Sequence, residues 1–197
     1  MADDEPYVSV RNGRLCVDHV RDAGTPPYTN SLFYSTYQGR SDGVLVSFPF
    51  TVTAYDVVLS ELGAEPVPSP SQLGGQSYAG LTVRNLSMND HWSHVMIGQL
   101  NGAWVEEAKN TQNGVSIPVH NVPISYDRAD IRVEGQADRT LRVYIKEAGT
   151  STWNEIPQGN LNNTPTFDAS VVVGFSAYGT DVPAVPFTAS AGRFEWQ

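Results

Sequence analysis

One cysteine in 197 residues, Cys16, excludes an intrachain disulfide and any metal site built from cysteines. Positive charge is also scarce: 12 Lys and Arg stand against 21 Asp and Glu, a formal net charge of −9, with no basic cluster anywhere. A phosphate backbone or an anionic membrane surface would be repelled by such a chain, so neither nucleic acid nor membrane is an expected partner. No apolar run approaches the ~20 residues of a membrane-spanning helix. The opening MADDEPY is acidic where a signal peptide would be basic and then apolar, and residues 1 to 6 read as a frayed acidic leader. Neither a Gly-rich phosphate loop nor a G-x-S-x-G nucleophile elbow occurs, which removes local support for nucleotide chemistry and for a Ser/His/Asp hydrolase. Helical periodicity is missing as well.

What is present is alternation. In ADIRVEG (129 to 135) and TLRVYIKE (140 to 147) the apolar residues Ile131 and Val133, then Leu141, Val143 and Ile145, fall at every second position, as in a strand with one buried face. SVVVGFSAYG (170 to 179) and ASAGRFEWQ (189 to 197) continue the series, with turn residues between. YVSVRNGRLCVDHV reads as a hairpin closed by Asn12-Gly13, a pair suited to the positive φ of a two-residue turn. LFYSTYQG is an aromatic strand candidate, and GVLVSFPFTVTAYDVVLS is a long β-prone segment that Pro49 breaks or bends. YAGLTVRNL, HWSHVMIGQL and AWVEEAKN follow, the last two joined by Asn101-Gly102. Residues 60 to 77 form a Pro- and Gly-rich intradomain loop. With 40% hydrophobic and 17% charged residues, the chain suits a folded all-β protein, and residues 7 to 197 are expected to form a single sandwich domain.

The order GLTVRN, HWSHVMIG, RVEG, LRVYIKE with Trp153 soon after, VVVGFSAYG and a terminal RFEW resembles the concanavalin A-like lectin and glucanase jelly rolls, including laminin-G-like bacterial modules. The resemblance covers roughly residues 44 to 197. It implies an antiparallel jelly-roll sandwich of two sheets with a concave front sheet, and it implies no single activity. Related folds often carry a structural calcium ion, which Asp- and Asn-rich loops suit; no position is singled out.

Glycoside hydrolysis ordinarily needs two carboxylates about 5 to 10 Å apart. The E-x-D-x-x-E strand that hydrolases of this scaffold carry is absent, and adjacent Glu106 and Glu107 must point to opposite faces of a strand. Tyr144-Ile145-Lys146-Glu147-Ala148-Gly149 is similar to the Y-F-K-A-G-x-Y strand of jelly-roll lyases, but the companion R-x-E-x-R and Gln-x-His patterns are missing. Arg142, Tyr144 and Lys146 are therefore expected as an outward stripe. His91, His94 and His120 invite a zinc reading, yet 91 and 94 fall on opposite faces, and structural roles are expected.

The remaining constellation is a face. If Val95 and Ile97 point inward, Trp92 and His94 point outward, beside Arg84 on the preceding strand. With Trp104 and Glu106 on the following strand, they offer an indole surface for sugar C–H bonds and directional partners for hydroxyls. Arg84, Trp92, His94, Trp104 and Glu106 are thus the expected ligand residues, carbohydrate the expected partner and non-catalytic, lectin-like recognition on the concave sheet the expected function. A structural or adhesive virion or cell-surface protein, forming homo-oligomers, is the second reading, and a polysaccharide-cleaving hydrolase or lyase the third. An extracellular or virion-associated location fits all three.

Overall fold

The computed structural model describes residues 8–19, 44–64, 76–86, 91–157, 166–179 and 186–197. The expected acidic leader, the LFYSTYQG strand and most of the loop between 60 and 77 lie outside the described residues. The described residues are all-β, in two antiparallel sheets that do not close into a barrel.

The first sheet holds β1 (Val8–Arg11), β2 (Arg14–His19), β13 (Phe187–Ala191), β4 (Phe50–Glu61), β9 (Arg128–Gly135), β10 (Leu141–Glu147) and β11 (Asn154–Ile156) in that spatial order, with β14 (Arg193–Trp196) also pairing to β4. The second runs β3 (Val44–Ser47), β12 (Ser170–Gly179), β5 (Gln76–Asn85), β6 (Trp92–Leu100), β7 (Ala103–Gln112) and β8 (Val115–Pro123). Every neighbouring pair is antiparallel. The sheets enclose one main apolar core, in which Val52, Ala54, Ile131 and Ile145 of the first meet Leu81, Val95, Ile97 and Phe175 of the second, all at most 2% exposed.

Local chemistry explains the boundaries. Asn12-Gly13 and Asn101-Gly102 both have positive φ and close two-residue hairpins, as Asn-Gly pairs do. Pro49, after a cis peptide bond, separates β3 from β4. The last aromatic stretch divides at Gly192 into β13 and β14 instead of forming one strand, and both halves pair with β4. β8 is a strand that alternation alone does not announce: it contains Pro118 and Pro123, which an edge position tolerates because one side of the ladder is unpaired. Its pairing with β7 slips by one residue between Ala108 and Lys109.

The two-residue turn at Asn101-Gly102 fixes which β7 side chains share a face with β6. Met96 sits opposite Glu107 and Ile97 opposite Glu106. Ile97 belongs to the core, so Glu106 points inward and Glu107 outward.

Candidate functional site

The outer face of the six-stranded sheet gathers polar and aromatic side chains from five strands, β5, β6, β7, β8 and β12. Cross-strand pairing places His94 beside Thr82 and Lys109, Met96 beside Gly80 and Glu107, and Tyr178 of β12 beside Tyr78 of β5. The Tyr78 and Tyr178 rings stack at 4.9 Å with 11° between planes. Gly98 makes room for them, because a Cβ there would fall on the Tyr78 ring.

Glu107 is the hub of this face. Its Oε1 accepts from His94 Nε2 at 2.9 Å and from the Tyr178 hydroxyl at 3.2 Å, and its Oε2 accepts from Asn121 Nδ2 at 3.1 Å. Lys109 Nζ lies 3.5 Å from the same carboxylate and donates to the Tyr178 hydroxyl at 2.9 Å. The His94 ring is flanked by Trp92 at 5.3 Å and Tyr178 at 5.5 Å.

Exposure grades across the cluster. The His94 and Glu107 side chains are each 4% exposed and Lys109 16%, while Tyr178 is half-buried and Asn121 exposed. Solvent, and any ligand, meets Lys109, Tyr178 and Asn121 first.

Burial sets the protonation states. It holds the His94 imidazole below its ordinary range, against the opposing pull of Glu107, so His94 is neutral at pH 7 and donates through Nε2–H. Burial works to raise the Glu107 carboxyl, but the hydrogen bonds and the Lys109 charge outweigh it and hold the group ionised. The Tyr178 phenol is pushed well above its ordinary value, first by burial and then by the negative charge of Glu107, and it remains protonated. Lys109, a protonated phenol, an ionised carboxylate and a neutral imidazole thus stand in continuous contact across this face.

Three of the expected ligand residues, Arg84, Trp92 and His94, do share this face, paired as Arg84 opposite Trp92 and Thr82 opposite His94. Trp104 and Glu106 do not: both lie on the core side of β7, Trp104 packed against the main core. The inward Glu106 accepts from the Tyr126 hydroxyl and from His120 Nε2, the latter at 3.1 Å, tying β7 to β8 and to the connection that leads into the other sheet. Burial and the Glu106 charge raise the Tyr126 phenol. The three histidines therefore separate, since His91 Nε2 instead meets Asn113 Oδ1 at 3.1 Å. Arg142, Tyr144 and Lys146 face outward on β10 as the stripe predicts, and Lys146 is bonded to Asp130 at 2.5 Å.

Glu107, Lys109, Asn121 and Tyr178 are the members that sequence reasoning passed over. The turn register was the available signal for Glu107 and Lys109. Nothing local links Tyr178 to them, because β12 reaches this face only through its pairing with β5.

No family model matches the chain, and no curated protein matches it. Solved structures do. It is similar to a functionally unknown protein from Saccharomyces cerevisiae, with a TM-score of 0.65 and 18% identity over 96% of this chain and 90% of that one. It is similar to the GH43 protein BlXynB from Bacillus licheniformis, with a TM-score of 0.63 and 11% identity over 98% of this chain and 35% of that one. A β-1,3-glucanase from Mycobacterium marinum matches with a TM-score of 0.50 and 13% identity over 93% and 74%. The chain thus spans about a third of the length of that GH43 structure. At these identities the likeness shows the fold.

The expectation of non-catalytic glycan recognition does not stand. Sugar-related structures that share the fold include GH43 glycoside hydrolases and a β-1,3-glucanase. A recognition face of that kind also needs a solvated aromatic groove, whereas Arg84, Trp92 and His94 are each 5% exposed and Glu106 8%.

Proposed function

We propose that the chain is a carbohydrate-active enzyme module that cleaves a polysaccharide by proton transfer on the outer face of the six-stranded sheet. The observation that carries this is the contact chain from Lys109 through Tyr178 to Glu107 and His94, open to solvent at one end and buried at the other. Tyr178, protonated at neutral pH, donates to the departing sugar oxygen, and Lys109 stabilises the charge that develops there. Glu107 holds the Tyr178 hydroxyl and is itself oriented by the His94 Nε2–H, and the proton given up by the attacking water in hydrolysis, or by the sugar C–H in elimination, restores the Tyr178 phenol. The likeness to the GH43 hydrolases and the β-1,3-glucanase supports polysaccharide as the substrate class, and we read the sandwich as a concanavalin A-like jelly roll on the same ground. On this face the described residues present one carboxylate, Glu107, where the common hydrolytic mechanism uses two.

The test is incubation with xylan, xyloglucan, β-1,3-glucan and a polyuronide, scoring new reducing ends and unsaturated ends separately. The proposal requires new ends from at least one polymer and a loss of about 10²-fold or more on Tyr178→Phe. Unsaturated ends identify elimination; reducing ends without them identify hydrolysis. Release of neither by the intact chain contradicts the proposal.

A further inference from the structure

A second polar depression lies on the opposite side of the molecule. β14 pairs along β4, so Glu195, Thr53, Arg132 and Tyr144 form one row across β14, β4, β9 and β10, and Thr51 and Glu134 stand side by side in the next row. The threonines of β4 are short, and the flanking Glu195, Arg132 and Glu134 are long. Strands lie about 4.8 Å apart, so the walls stand roughly 10 Å from each other at the backbone with threonine between them. A pocket of about 190 Å³ results, its floor at Thr53, which is 3% exposed.

The walls are held in place by Trp153, Tyr144 and Arg193 around the pocket and by Tyr55, which also lines it. The Arg132 guanidinium lies 4.1 Å from the centre of the Trp153 ring and 5.9 Å from that of Tyr144. Its Nη1 is 3.7 Å from Glu134 Oε1, beyond hydrogen-bond range, and its buried Nε has no hydrogen-bond partner among the described residues. Glu195 accepts from the Tyr55 hydroxyl at 2.7 Å and lies 3.1 Å from Arg193, and Glu134 accepts from Tyr144 at 3.2 Å. Each carboxylate is oriented, yet a carboxylate has about four acceptor positions and these contacts do not fill them.

The charges decide what fits. Two carboxylates are balanced by Arg132 and Arg193, so an anion meets Glu134 and Glu195 and a cation meets the two guanidiniums. A neutral polyol avoids both penalties: its hydroxyls donate to the carboxylates and accept from Arg132. The volume is below the about 300 Å³ at which small-molecule pockets usually begin, which suits a single ring lying against the sheet.

We propose that this depression on the eight-stranded sheet is a second binding site, for one neutral sugar ring, with Arg132, Glu134 and Glu195 as its directional partners. The ligand class rests on the carbohydrate-directed reading above, whereas the location rests on the pocket alone. It would hold a polysaccharide chain at a point on the opposite sheet from the proton-transfer cluster.

Amide chemical-shift titration of the full chain tests this, with methyl β-xyloside and methyl β-glucoside as probes and a methyl glucuronide and glucosamine as charged comparators. Shifts are expected at residues 51 to 55, 132 to 134 and 193 to 197 with a neutral glycoside. Arg132→Ala and Thr51→Leu should each weaken that binding by about tenfold or more, the first by removing a charged donor and the second by filling the trough. Thr51→Leu decides the matter if Arg132→Ala fails to fold. Glu107→Gln should leave the titration unchanged while abolishing polymer cleavage, so the two sites fail separately. The proposal is overturned if neither neutral glycoside perturbs these amides, if a charged comparator binds as tightly, or if Thr51→Leu leaves the affinity intact.

Discussion

Replacing His19 with phenylalanine should remove a specific part of the acid sensitivity of the fold. His19 ends β2, is 2% exposed, and stacks on Phe187 with ring centroids 4.9 Å apart and 17° between planes. Burial lowers its pKa from 6.5 to about 4. The unfolded chain therefore takes up a proton near pH 6.5 that the folded chain refuses until about pH 4. Between these values the unfolded state binds more protons, so stability is complete above the upper value and declines as pH falls through the window. The gap of about 2.5 pH units, at about 1.4 kcal/mol each, amounts to roughly 3 kcal/mol. Phenylalanine keeps the ring against Phe187 and cannot ionise. Urea unfolding of both proteins at several values between about pH 7.5 and pH 4 should show the parent losing roughly 3 kcal/mol more than His19→Phe across that span. His94, Asp56 and Glu107 titrate in both proteins and cancel in the difference. Parallel stability curves would refute the reasoning, because they would mean that the His19 imidazole gains its proton equally easily in the folded chain.

Two further substitutions test the packing of the six-stranded sheet. Trp92→Ala should lower unfolding free energy by about 3 to 5 kcal/mol, since the indole is 5% exposed; a negligible change by thermal melting would mean that the ring is solvated after all. Gly80→Ala should cost about 1 to 3 kcal/mol or more, because the added Cβ falls on the Val95 carbonyl oxygen and the Met96 backbone, and an unchanged denaturant midpoint would show that β5 and β6 can separate without penalty.

The fold was legible where one face of a strand is buried and the other is not. β9 and β10 alternate through Ile131, Val133, Leu141, Val143 and Ile145, and the structure pairs them across the turn that the sequence marks. The Asn12-Gly13 and Asn101-Gly102 hairpins were legible for a different reason, since few residues accept positive φ at two consecutive positions. β8 was hidden by Pro118 and Pro123, whose usual meaning is the absence of a strand; only its edge position makes them tolerable.

Of the candidate site, His94 and the flanking Trp92 were legible, and Glu107, Lys109, Asn121 and Tyr178 were not. Arg84, Trp92 and His94 were placed on one face by alternation, and Trp104 and Glu106 were assigned to that face against the parity of their own hairpin. With Ile97 inward, a two-residue turn leaves Glu106 opposite it and sends Glu107 to the outer side. The burial of that outer side was not legible. Every residue from Trp92 to Gln99 is buried, so apolar alternation along β6 does not separate an inner from an outer face. Tyr178 enters through a strand pairing that joins β12 to β5 across about ninety residues of chain, and no local pattern encodes such a partner.

The most direct measurement is cleavage by Glu107→Gln beside Glu106→Gln, on whichever polysaccharide the parent chain cuts. The two carboxylates are sequence neighbours on opposite faces of β7, so the comparison separates the outer cluster from the core contact with Tyr126. Glu107→Gln should retain its β-rich circular dichroism spectrum and lose about 10²-fold or more of the cleavage rate. Glu106→Gln should lower the melting temperature and keep its rate at temperatures where it is folded. Undiminished cleavage by folded Glu107→Gln, or loss confined to Glu106→Gln, would contradict the assignment of chemistry to the outer face.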